Sequence, residues 1–137
     1  MDDNDEPKLF RLYVLRLEDG KYYVGVTTKT VEQRMKEHAS GRSAYWTHDH
    51  KPVSIYHQEE LGVMTYPQAQ ELEQAAVQRY MKELGLNNVR GGELTDREDY
   101  GLIGNRILIG HERNAFVMIF ILLAIIVVLA LLLRLEY

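Results

Sequence analysis

Residues 115–133, AFVMIFILLAIIVVLALLL, run nineteen long without a single charge. No other stretch limits so firmly what the chain can become. As a helix rising about 1.5 Å per residue, the run would reach roughly 28 Å, close to the ~30 Å of a bilayer's hydrocarbon. It is apolar on every side, and a domain of roughly ninety residues is too small to enclose it. It therefore reads as a transmembrane helix over residues 114–134, a single-pass C-terminal anchor in the lipid bilayer. Arg106, His111 and Arg113 flank the near side against Arg134 alone beyond, a bias that sets the soluble part in the cytoplasm. The N-terminus has neither a basic start nor an apolar stretch, so no secretory signal is expected.

With that run set aside, much of the 46% apolar composition goes with it. Residues 1–113 keep the net charge of −4, since only Arg134 and Glu136 lie beyond. Asp2, Asp3, Asp5 and Glu6 account for it, in a polar leader over residues 1–7 with no apolar periodicity. The rest is balanced, so global charge decides nothing about nucleic acid and local clustering must. The absence of cysteine excludes disulfides, thiolate zinc sites and a thiol nucleophile.

Residues 8–17 (KLFRLYVLRL) and 22–26 (YYVGV) read as two strands joined at Glu18-Asp19-Gly20. Side-chain direction has a period of two, so the loop length matters. A two-residue Asp-Gly turn closing at Glu18–Lys21 puts Tyr13 and Tyr23 on opposite faces. A three-residue loop with Gly20 left-handed sets Leu17 opposite Lys21 and brings both tyrosines to one face. Sequence permits either.

Thr30 with Gln33 forms a capping-box pattern that starts a helix at Val31. On it Val31, Arg34, Met35 and His38 share one face, and Gly41 ends it. SAYWTHDHKP connects to a third strand over residues 53–60, with Val53, Ile55 and His57 on one side and Tyr56 on the other. Pro67 opens a second helix running to about Leu84, stopped by Gly85. Its inward stripe is Ala69, Leu72, Ala76 and Tyr80, and Glu73 lies on it. LNNVRGGE reads as a turn-rich close, and residues 94–113 as a linker with a short helix near Thr95. The expected architecture is a small α/β domain over residues 8–93, a three-stranded sheet flanked by helices, followed by linker and anchor.

The motifs in that order resemble the GIY-YIG nuclease domain. Arg11-Leu12-Tyr13 and Tyr23-Val24-Gly25 occupy the two name motifs, and Arg34 four residues before His38 matches the family helix. Tyr45-Trp46-Thr47 through Lys51-Pro52-Val53 is similar to the tract before the family's third strand. Ala69 to Glu73 is similar to the helix whose glutamate binds a divalent metal, and Asn88-Val89-Arg90-Gly91-Gly92 to a closing Asn-containing segment. The resemblance spans residues 9 to 93. Arg11 departs from it, standing where the family usually has Gly, and Leu12 and Val24 replace Ile. It implies a metal-dependent endonuclease acting on DNA, with one of the two tyrosines as general base.

The residue chemistry points the same way. Phosphodiester hydrolysis needs an activated water and stabilisation of added negative charge. Arg34 offers a planar fork for two phosphate oxygens. Glu73 can hold one hard cation, Mg²⁺ or Mn²⁺, that keeps most of its waters. A tyrosine becomes a usable base only where a cation stabilises its phenolate; Tyr23 is taken as that base and Tyr13 as the group positioning water or phosphate. His38 would donate or relay a proton, and Asn88 would position the metal-binding helix or a phosphate. Lys21, Lys29, Arg42 and Lys51, with Trp46 and His50 among them, form a basic, aromatic patch for phosphates and exposed bases.

Each residue also has a plainer reading. A strand tyrosine is ordinary packing, Arg34 could pair with Glu37 or Glu60, and His38 on an apolar face could be a satisfied core histidine. His48 and His50 on a loop make a poor zinc signature. The rival to an enzyme is the same fold kept for binding nucleic acid or protein at the membrane.

Overall fold

The computed structural model describes residues 6–103 and 106–135, so most of the expected acidic leader, residues 1–5, lies outside the described residues. The chain divides into two compact units, residues 1–97 and 98–137.

In the first unit β1 (Lys8–Leu17) and β2 (Tyr22–Thr27) form the hairpin. Asp19 (φ 57°) and Gly20 (φ 68°) are both left-handed, the backbone a two-residue type I′ turn requires. Lys21 donates its N–H to the Glu18 carbonyl at 3.1 Å, yet Leu17 donates to the Lys21 carbonyl at 2.7 Å. Leu17 and Glu18 thus both face Lys21, a one-residue bulge. The spare Glu18 N–H goes instead to the Lys51 carbonyl at 2.9 Å. Tyr13 pairs with Gly25 and Leu15 with Tyr23, so both tyrosines share a face. The turn is the two-residue kind and the register is that of the three-residue loop.

α1 (Val31–Ala39) begins at the expected capping box, with Thr30 Oγ1 accepting from Gln33 N–H and Gln33 Oε1 from Thr30 N–H. A short helix, α2 (Tyr45–Asp49), occupies what sequence read as a connection. β3 (Pro52–Met64) is longer than expected and runs antiparallel along β1 at the sheet edge. Its pairing skips Val53, Tyr56 and Leu61. These bulges, with Glu59 and Glu60, twist and charge an edge that would otherwise template another strand. They also break the expected alternation, leaving Val53 and Tyr56 exposed.

α3 (Tyr66–Leu84) carries a second capping box at Thr65 and ends at Gly85 (φ 105°). It buries Ala69, Glu73, Ala76, Val77, Tyr80 and Met81, while Leu72, expected on that stripe, is exposed. Val77 and Met81 take its place because the buried row follows the i, i+4 spacing of 69, 73, 77 and 81. β4 (Val89–Gly91) adds a fourth strand, parallel to β2, giving the order β3-β1-β2-β4 in place of three strands. Three residues followed at once by a second glycine carry no strand periodicity, so sequence read only a turn. At Gly91 a Cβ would meet the Val24 carbonyl, which is why the strands can approach there.

β1 is buried on both faces and reads accordingly as a nearly continuous apolar run. Tyr13, Leu15 and Leu17 pack with Val31 and Trp46 beneath α1 and α2. Phe10, Leu12 and Val14 point the other way, toward α3, where the Phe10 and Tyr66 rings lie 6.1 Å apart.

No helix forms near Thr95 among the described residues, and in the second unit β5 (Gly101–Ile103) pairs antiparallel with β6 (Arg106–Leu108). α4 (Gly110–Leu135) includes Asn114–Leu132, nineteen residues of mean hydropathy 3.5, none of it buried. By length and composition it can cross a membrane.

Candidate active site

Along β2, β4 pairs with Tyr22, Tyr23 and Val24, so among the described residues the β2 edge beyond Val24 is left open on that side. A cleft of about 510 Å³ occupies the gap, and Tyr13, Tyr23, Arg34 and Glu73 all line it. The hairpin register supplies the tyrosines, α1 the arginine, and α3 the glutamate from the opposite face. Gly25 makes the meeting possible. A Cβ there would run into the Tyr13 hydroxyl and ring, so the phenol crosses β2 only because its cross-strand partner has no side chain.

His38 is sealed from solvent and Tyr13 nearly so, and the Tyr13 hydroxyl lies 2.9 Å from His38 Nε2. His38 Nδ1 lies 3.0 Å from Thr47 Oγ1, whose own hydroxyl donates to the Ala44 carbonyl at 2.9 Å. That last bond fixes the directions of the others. Thr47 has spent its proton, so it accepts from His38 Nδ1–H; Nε2 then bears the lone pair, and Tyr13 donates to it. Burial, helped by the Arg34 charge, pushes the His38 pKa down to about 4, which keeps the imidazole neutral. Lying behind Tyr13 and closed to solvent, His38 can relay a proton through that tyrosine but cannot hand one directly to a leaving group.

Burial raises Tyr13 to about 12, against the charge and hydrogen bond of Arg34, which pull it down. Tyr23 is pushed up further, first by burial and then by the Tyr13 charge. Its ring sits 4.7 Å from that of His38. Arg34 is held by Glu37, which also binds Lys29. Of the two pairings open to Arg34, the structure takes Glu37; Glu60 instead meets Arg11 at 3.7 Å. Arg11 turns toward the Thr28 and Lys29 carbonyls and does not line the cleft, so the residue replacing the family glycine leaves it open.

Glu73 is 9% exposed, with Oε1 accepting the Gly92 N–H at 3.3 Å. Burial lifts its pKa to about 7, with the Gly92 bond and the Arg34 charge acting against the rise. Among the described residues no three His, Asp or Glu side chains cluster as a metal site. One buried carboxylate facing a roomy cleft nonetheless fits a hard cation that brings its own waters.

The remaining expected residues lie elsewhere. Asn88 is not in the cleft: its Nδ2 donates to the Leu84 carbonyl at 2.8 Å and its Oδ1 accepts from Lys21 Nζ at 3.1 Å, which ties down the end of α3. Lys21 is engaged there and with the Asn87 carbonyl. Trp46 is a core residue and not a stacking platform, 5% exposed, with Nε1 donating to the Tyr22 carbonyl and the buried Arg90 guanidinium 4.4 Å above its ring. His50 pairs with Asp19 beside the hairpin turn, and the Lys51 N–H bonds Glu18 there. Arg42 is exposed beyond α1. Only Lys29 stands near the cleft. Sequence reading names neither Thr47 nor Gly92 as a site residue, although both fall within the family-like tracts: one is a lone hydroxyl nine residues after His38 and the other a glycine acting through its backbone, so only the tracts mark them.

A family model described as the GIY-YIG catalytic domain matches residues 10–87. A UPF0213 protein of Halobacterium salinarum is 32% identical over 75 residues, 55% of this chain and 96% of its own length. One from Bacillus pumilus is 31% identical over 78 residues, 57% and 79% respectively. One from Streptococcus sanguinis is 43% identical over 49 residues, 36% of this chain, which spans 55% of that relative. No solved structure matches significantly.

Proposed function

The chain belongs to the GIY-YIG family of nuclease domains, and on that premise we propose that it is a divalent-metal-dependent endonuclease hydrolysing phosphodiester bonds in DNA, tethered to a membrane by α4. The observation that carries the reading is the convergence of Tyr13, Arg34 and Glu73 on one cleft, with a proton acceptor behind the tyrosine.

The two tyrosines exchange the roles expected of them. Tyr13 has both an acceptor for its proton, His38, and a cation, Arg34, beside its oxygen; no hydrogen bond of the Tyr23 hydroxyl is seen among the described residues. Tyr13 is therefore the base and Tyr23 positions the water. Burial holds Tyr13 above and His38 below its ordinary value, and both shifts disfavour a phenolate formed ahead of reaction. Tyr13 instead passes its proton to His38 as it takes one from water, and the water oxygen bonds phosphorus as the bond to the sugar oxygen breaks; that oxygen takes a proton from a second water in the cleft, and the His38 proton returns through Tyr13 to the hydroxide this leaves. Arg34, oriented by Glu37, holds the phosphate oxygens as charge builds on them. Glu73 would hold Mg²⁺ or Mn²⁺, which when bound supplies charge stabilisation at the phosphate and the leaving oxygen.

The test is cleavage of DNA by the full chain in detergent with Mg²⁺ or Mn²⁺. Glu73→Gln and Arg34→Gln should each lower the rate about 10²- to 10³-fold with the fold retained. A wild-type chain that binds DNA and cuts no substrate would establish the binding module instead. Failure of the full chain to enter liposomes would remove the tether.

A further inference from the structure

Beside the cleft lies a second cavity of about 260 Å³, and the two share Val26, Arg34 and Tyr66 as a common wall. Their charges have opposite sign. Glu71, Glu73 and Glu93 line the cleft against Arg34 alone. Lys8, Lys29 and Arg34 line the second cavity against Glu6. The acidic side suits a cation. The basic side suits another anion, and along a nucleic-acid strand an anion recurs at every nucleotide.

We propose that the second cavity is a phosphate subsite, in which Lys8 and Lys29 hold the phosphate next along the strand from the one at Arg34. The proposal rests on the nuclease reading and adds where the strand leaves the cleft. Lys29 is carried on a fixed turn, its N–H bonded to Thr27 Oγ1 at 3.0 Å, and Lys8 begins the central strand. Of their acidic neighbours, Glu6 lies 3.9 Å from Lys8 in solvent, and Glu37, partly exposed, is shared between Lys29 and Arg34. Solvent-facing pairs of this kind are weak, and phosphate oxygens compete with them. Tyr66, on the shared wall and 38% exposed, offers a face for the base between the two phosphates.

The experiment uses the full chain in detergent and a short fluorescent DNA duplex, wild-type or carrying one neutral methylphosphonate moved along the strand. Lys8→Gln/Lys29→Gln should weaken binding about tenfold and lower the salt slope by about one, the value for one lost phosphate contact. One methylphosphonate position should reproduce that loss in the wild type and add nothing in the double variant. Lys8→Gln alone, which leaves Glu37 and Arg34 untouched, should show part of the effect at the same position. Unchanged binding in the double variant, or a methylphosphonate penalty that persists in it at every position, overturns the subsite. Cleavage is scored separately with Mg²⁺, so a chain that binds but never cuts would sink the nuclease reading while the coupling still decides the subsite.

Discussion

The Tyr13 hydroxyl donates to a histidine, His38, whose other nitrogen is already committed to Thr47. A buried tyrosine is thereby paired with an acceptor whose tautomer is set two bonds away. Thr47→Val keeps the shape and removes the partner of Nδ1–H. The imidazole can then shift its proton to Nε2, and Tyr13 loses its acceptor. Stability should fall by about 1–3 kcal/mol and kcat by about 10²-fold with KM little changed. Thr47→Ser should restore both. An unchanged kcat would mean the relay has no part in the reaction.

Gly25 is a steric requirement of the same arrangement. Gly25→Ala places a methyl group where the Tyr13 phenol lies. Overpacking of this kind costs about 1–3 kcal/mol, to be read from denaturant midpoints. Because the ring must move, activity should fall well beyond what lost stability explains. Parallel loss of the two would deny the glycine a positioning role.

Glu73 and His38 should give stability opposite pH dependences. The Glu73 pKa is raised to about 7, so the folded state binds more protons than the unfolded one and stability falls as pH rises from about 4.5 to 7. The His38 pKa is lowered to about 4, so the unfolded state binds more and stability rises with pH between about 4 and 6.5. Each can reach about 3 kcal/mol. In the wild type the two largely cancel. His38→Gln should expose the falling arm and Glu73→Gln the rising one, measured by chemical denaturation without metal. Equal slopes in both variants would contradict the assignment.

The Glu18 bulge reconciles the two-residue turn with the tyrosine register, which the packing of β1 and β2 sets. Deleting Glu18 leaves Leu17 and Lys21 flanking Asp19-Gly20 as an ordinary two-residue hairpin, with Tyr13 still opposite Gly25. The cost should be about 1–2 kcal/mol for the lost bonds to Lys51. Cross-strand NMR contacts between Tyr13 and Gly25 should persist. Their disappearance would show that the bulge and its bonds to Lys51 are needed for the pairing.

Local chemistry determined much of this protein from sequence. The capping box at Thr30, the Pro67 and Gly85 limits of α3 and the apolar run of α4 follow from interactions within a few residues of each other, which sequence spacing reports directly. What sequence left open was decided at long range. The register came from the packing of β1 and β2, reconciled with the turn by a bulge whose spare N–H bonds Lys51, thirty-three residues on. β4 exists only as a partner of β2, too short to show a period of its own. Trp46, read as a stacking surface, became structural because packing partners distant in the chain claimed it. The acid–base pairing of Tyr13, His38 and Thr47 joins three elements through single atoms, and no spacing rule encodes where such atoms meet.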